Sequence, residues 1–117
     1  MKLIICLLLF SMCSCGVQNT PILLYRSKGI PLIVTKQKIS LKQGCHVDIV
    51  LKNTGLSALR KVFVDVNYYD ASGYYIITTR SNIIDCLKPG QIASFATSAI
   101  ISDTEPISKA LVIPGLM

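Results

Sequence analysis

Cys45-His46-Val47-Asp48-Ile49-Val50-Leu51-Lys52 and Val62-Phe63-Val64-Asp65-Val66-Asn67-Tyr68-Tyr69 are the two stretches that decide the fold class. In the first, Cys45, Val47, Ile49 and Leu51 fall on one face and His46, Asp48 and Lys52 on the other. In the second, Val62, Val64, Val66 and Tyr68 share a face, with Phe63, Asp65, Asn67 and Tyr69 opposite. Successive side chains of a strand point to opposite sides, so this period of two is that of half-buried strands. A slip of one residue would exchange core and surface, so the register is firmly specified.

Turn chemistry surrounds both stretches. Asn53-Thr54-Gly55-Leu56-Ser57 and Asp70-Ala71-Ser72-Gly73 are rich in residues that accept tight or left-handed geometry. Lys88-Pro89-Gly90-Gln91 has proline to preset the first central torsion of a type II turn and glycine to take the positive angle of the second. Further strands are expected at Leu32–Ile39, Tyr75–Thr79, Asn82–Cys86, Ile92–Ile101 and Ser108–Ile113, making seven in all. Seven short strands between turns predict an all-β, immunoglobulin-like antiparallel β-sandwich. No window carries a capped amphipathic helix. A chain of 117 residues, half of them hydrophobic, allows one domain and one core.

The chain ahead of this pattern is of another kind. Lys2 precedes a nearly unbroken apolar run from Leu3 to Met12, the layout of a secretory signal. The run is half the length of about 20 residues that a spanning helix needs. It ends in Met12-Cys13-Ser14-Cys15-Gly16, which resembles a lipobox. That resemblance implies diacylglycerol on the cysteine and cleavage just before it. Ser14 supplies the small preceding residue for Cys15, whereas Cys13 follows the bulky Met12. The expected division is a signal peptide over 1–14, a lipidated tether over 15–29 and a sandwich over 30–117. An ordinary signal peptide cut nearby would instead leave Cys15 a free thiol. Gly16 lacks the aspartate associated with inner-membrane retention, so in a two-membrane cell the outer membrane, facing the periplasm, is the expected address; otherwise it is the outer face of the cell membrane.

Of the five cysteines, only Cys45 and Cys86 remain once Cys6 and Cys13 leave with the leader and Cys15 is acylated. Exported proteins meet an oxidising compartment, so a disulfide between them is expected. In an immunoglobulin-like arrangement, the strand opened by Cys45 would run beside the one closed by Cys86. The alternative is two small buried hydrophobes. A lone His46 without CxxC or HxxxH spacing provides no metal-ligand set, and no cofactor motif is present.

Loss of Lys2 leaves eleven Lys and Arg against six Asp and Glu, a formal +5. The cations are scattered and carry no nucleic-acid motif, so they describe a solvated basic surface near anionic lipid or wall polymer. Catalysis has no constellation here. One histidine, no motif around a serine or cysteine, and an Asp65 and Asp70 with simpler surface and turn roles leave the catalytic list empty.

The middle of the chain resembles the FxLYD domain of bacterial and archaeal exported proteins. VDIVLKNTG, VFVDVNYYDASG and LKPGQ carry the likeness. Tyr69 and Asp70 match the naming motif, with Val66 where phenylalanine is usual and Tyr68 where leucine is usual. The chain is also similar to the YcfL-like small lipoproteins of Gram-negative bacteria in its lipobox, its strand ending in an Asn-containing turn and its Asp-x-x-Gly hairpin. Neither resemblance implies an active site.

Four of the five tyrosines, Tyr68, Tyr69, Tyr74 and Tyr75, surround the Asp70–Gly73 turn. Tyrosine offers a rigid contact area with a polar tip and is enriched at interfaces. Tyr69, Tyr74 and Asp70 are therefore the candidate partner-binding residues, against the plainer reading that cross-strand aromatic pairs hold the hairpin. Short strands leave little interior volume, so a small-molecule substrate is not expected. The expected function is a non-enzymatic accessory lipoprotein that binds another envelope protein. The alternatives are a structural spacer or adaptor, and a binder of an anionic cell-wall or lipid component.

Overall fold

A computed structural model of the chain describes residues 21–41, 44–100 and 107–117. The expected signal peptide, Cys15 and the first part of the tether lie outside the described residues. Eight strands are described: β1 (Ile22–Tyr25), β2 (Leu32–Ser40), β3 (Cys45–Asn53), β4 (Leu59–Tyr69), β5 (Tyr75–Arg80), β6 (Ile84–Leu87), β7 (Ile92–Ala99) and β8 (Lys109–Leu116). They form two packed sheets. One has the order β2-β3-β7, and the other β1-β8-β4-β5, with β6 pairing the start of β4. The all-β, two-sheet architecture is the one the alternating pattern requires.

The inward residues are those the period of two selects. Cys45, Val47, Ile49 and Leu51 of β3 are buried, as are Val62, Val64, Val66 and Tyr68 of β4. Phe95 of β7 and Ala110 and Val112 of β8 join them in the buried layer, together with Leu32, Leu87, Ala99 and Ile107. In the Lys88–Gln91 turn, the Gln91 amide donates to the Lys88 carbonyl at 2.9 Å, with Gly90 at a φ of 80°.

Three expectations are corrected. The first concerns the tether: Ile22–Tyr25 is a strand paired in parallel with Lys109–Val112 of β8. The sheet therefore already includes Ile22–Tyr25, inside the segment expected as tether, the described strands exceed seven, and one pair is not antiparallel. The β1 residues alternate, with Leu23 and Tyr25 packed against the core and Ile22 and Leu24 exposed. Tyr25 is fastened further by its hydroxyl, which donates to the Leu32 carbonyl at 3.2 Å.

The second correction is that β8 continues through Pro114 to Leu116, past its expected end at Ile113. Proline cannot donate to a ladder, and is tolerated where its nitrogen faces no partner. Val64, opposite Pro114, turns its amide to the Ser81 hydroxyl (3.0 Å) and its carbonyl to the Ser81 amide (2.9 Å). Both Val64 groups thus point away from β8. The nitrogen of Pro114 correspondingly points to the side where β1 has already ended, so its missing hydrogen leaves no acceptor unpaired.

The third correction is strand pairing around the cysteines. β3 runs beside β7, with Cys45 opposite Ala99, while β6 lies in the other sheet with Cys86 opposite Arg60. Cys86 is next to Leu87, whose carbonyl is bonded by Asn53 at the far end of β3. At a rise of about 3.3 Å per residue, Cys45 and Asn53 are separated by about 26 Å. A disulfide needs Cα atoms within about 7 Å, so this bond does not form. Both cysteines are free thiols.

Candidate functional site at the tyrosine hairpin

Asp70 shapes the hairpin. Its Oδ1 accepts from the Ser72 amide at 2.9 Å and the Tyr74 amide at 3.0 Å. The Asp70 amide donates to the Tyr74 carbonyl, and the Gly73 amide to the Asp70 carbonyl, both at 3.0 Å. Gly73 takes a φ of 89°, which L side chains rarely adopt. Asp70 thus acts on its own turn, with one carboxylate oxygen committed to backbone donors.

The four tyrosines divide by strand phase. Tyr68 is fully buried between the sheets. Tyr69 points outward and is half-buried, with its ring meeting that of Tyr75 edge-on at 6.3 Å and Lys109 Nζ above it at 4.7 Å. Tyr74 is 73% exposed at the tip and Tyr75 59% exposed beside it. An irregularity between Tyr68 and Tyr69 lets Tyr69 oppose Tyr75, so Tyr75 joins the exposed group with its hydroxyl 2.9 Å from Thr78 Oγ1. Of the sequence candidates, the structure brings Tyr69, Asp70 and Tyr74 together and adds Tyr75. The missed signal was the bulge, since strict alternation would place Tyr75 without regard to Tyr69.

The outer surface of the same sheet continues from this hairpin. The register sets Tyr69 beside Lys109 and Lys109 beside Ile22; the next row sets Asn67 beside Leu111 and Leu111 beside Leu24. Further along, Asp65 pairs with Arg80 through two bonds, at 2.8 and 3.1 Å, and the Arg80 guanidinium lies 4.0 Å above the Phe63 ring. Phe63 can lie down because Gly115 is opposite it: a Cβ there would meet the ring at 2.5 Å. Sequence alternation placed Phe63 outward; the glycine and the arginine cover it.

Among the described residues, no three His, Cys, Asp or Glu side chains come together as a metal site. His46 Nδ1 is 2.7 Å from Ser98 Oγ on the outer face of the other sheet. Burial pushes the Cys45 thiol up to about 11, which makes its thiolate scarce at neutral pH. Cys86 is less buried. In unreduced protein, a thiol reagent is expected to label Cys86 rapidly in the native state and Cys45 only on unfolding. Failure of both to react until a reductant is added would mean that they are bonded.

The molecule so described is a small all-β domain of two packed sheets with an exposed aromatic hairpin. No family model matches the chain, and no curated protein or solved structure matches it significantly.

Proposed function

We propose that this chain is a bacterial envelope lipoprotein, exported by residues 1–14 and held on a membrane by acyl chains on Cys15, whose β-domain is a non-enzymatic accessory that binds another envelope protein. The lipobox-like Met12-Cys13-Ser14-Cys15-Gly16 supports the address. An outer membrane facing the periplasm is the expected site in a two-membrane cell. The sheet order supports an immunoglobulin-like reading, with β3, β4, β7 and β8 standing where strands B, C, E and F stand in that fold. The FxLYD likeness fits the same reading: Val66 and Tyr68 are buried, and Asp70 closes the hairpin.

One observation carries the binding role: two adjacent tyrosines, Tyr74 and Tyr75, are left exposed at the tip of a hairpin whose backbone is fixed by Asp70. A rigid, exposed aromatic pair costs little conformational entropy to dock and gains large contact area. Cross-linking of the acylated protein in intact envelopes should yield a discrete partner adduct. The Tyr74→Ser/Tyr75→Ser variant should weaken capture by about 2 kcal/mol or more, as removal of hot-spot aromatics does. Equal capture by the folded variant would refute the role of the hairpin.

A further inference from the structure

The two outer faces of the sandwich differ in character. On the β2-β3-β7 sheet, the outward positions around Val50 are mostly polar, with Lys36, Lys38, His46, Asp48, Ser94 and Ser98, and the exposed Ile33 and Ile92 are separated by Lys52. On the other sheet, the outward residues of β1 and β8 are Ile22, Leu24, Lys109, Leu111 and Ile113. Ile22 is 60% exposed and Leu24 43%, while Leu111 and Ile113 are half-buried beside them. A solvated sheet face would alternate with polar residues. This one is apolar across two neighbouring strands except at Lys109, at its end.

We propose that this β1–β8 face lies on the surface of the membrane to which the protein is anchored, with Ile22, Leu24, Leu111 and Ile113 against an anionic lipid bilayer. The proposal rests on the reading of Cys15 as the lipidated residue. Ile22 lies seven chain steps beyond Cys15, with six residues between them. Fully extended, these steps reach at most about 25 Å, so β1 is the strand held nearest the lipid. The anchor therefore delivers the apolar face to the bilayer at high effective concentration.

Charge points to the same occupant. The carboxylate of Asp65 is taken by Arg80, which leaves Lys109 beside Ile22 and Arg26, in phase with Leu24, as the cations bordering the apolar strip. Apolar side chains bordered by Lys and Arg form the pattern that binds an interface containing anionic lipid. Docked in this way, Tyr69 lies beside Lys109 at the end of the strip, where a tyrosine ring suits the headgroup level, and Tyr74 and Tyr75 are left at its margin. The hairpin would then meet a partner at the same membrane surface.

The chain contains no tryptophan, so a single introduced one is a clean reporter. Acylated Leu24→Trp and Ile92→Trp variants would be purified from membranes and reconstituted in vesicles of phosphatidylglycerol and acyl-brominated phosphatidylcholine. Ile92 is 58% exposed and lies opposite Lys52 on the polar sheet, which makes it the matched control. The expected result is a blue shift and loss of most emission for Leu24→Trp, and unchanged emission for Ile92→Trp. Ile22→Trp should repeat the first result, guarding against a local effect of one substitution. Equal quenching of both sites, or of neither, in folded protein that stays on the vesicles would overturn the proposal. A blue shift of Leu24→Trp without bromine quenching would also overturn it, by showing that protein covers the face, such as a second copy. Protein that carries no acyl group on Cys15 and leaves the vesicles would overturn the anchoring reading itself, an outcome that mass spectrometry separates from the others.

Discussion

Asn53→Ala is expected to destabilise the domain by about 3 kcal/mol or more, because a buried polar partner left unmatched costs about 1–3 kcal/mol each time. Asn53 is fully buried at the end of β3. Its Nδ2 donates to the Leu87 and Ser57 carbonyls, both at 2.9 Å, and its Oδ1 accepts from the Gly55 amide at 2.8 Å. Its backbone is tied in as well: the Asn53 amide donates to the Gln91 carbonyl at 3.0 Å and the Gly90 amide to the Asn53 carbonyl at 2.8 Å. One residue thus joins the β3–β4 loop, the end of β6 and the Lys88–Gln91 turn. Alanine would leave two carbonyls and an amide without their partner. Asn53→Asp should be at least as damaging, since it places a carboxylate against two carbonyl oxygens away from water. Urea unfolding followed by tyrosine fluorescence reads both variants, and a loss below about 1 kcal/mol would show that water replaces the side chain without penalty.

Tyr68→Ala is expected to cost about 3–5 kcal/mol, the range for deleting a large buried aromatic. Tyr68 is among the largest fully buried side chains, and its hydroxyl accepts from Thr79 Oγ1 at 3.3 Å. Burial raises the pKa of its phenol. Tyr68→Phe keeps the ring and removes only the long hydrogen bond, so a loss of about 1 kcal/mol is expected. Tyr74→Ala, six residues away in sequence but at the exposed tip, should stay within about 0.5 kcal/mol. Domains of this kind are stable by about 5–15 kcal/mol, so the Tyr68→Ala loss would be visible as a large shift of the urea midpoint. Comparable losses for Tyr68→Ala and Tyr74→Ala would mean that the hairpin tip is itself part of the core. That outcome would also remove the basis for assigning Tyr74 to a partner.

The sequence alone determined the fold class, the inward residues and the principal turns. Alternation of Val47, Ile49 and Leu51, and of Val62, Val64, Val66 and Tyr68, fixes which side is buried, because the period of a strand is a local property. The Lys88–Gln91 and Asp70–Gly73 turns are legible for the same reason: their torsions depend on residues adjacent in the chain. Alternation also separates an inward Tyr68 from an outward Tyr69, but the placing of an exposed Tyr75 against Tyr69 required the bulge in the β4–β5 pairing.

Tertiary structure decided the rest, where partners are remote. Ile22–Tyr25 is too short to announce a strand, and becomes one because β8, distant in sequence, offers a free edge. Pro114 would end a strand read locally, yet it is accommodated because β1 has stopped and Ser81 has taken the groups of Val64. An expected Cys45–Cys86 bond depends on which strand lies beside β3, and pairing between strands is set by the packing of both sheets, which periodicity does not encode. Asn53 reads in sequence as an ordinary loop residue. Only the folded chain brings Leu87 and the Gly90 turn to it, turning a polar side chain into the buried bracket between three segments.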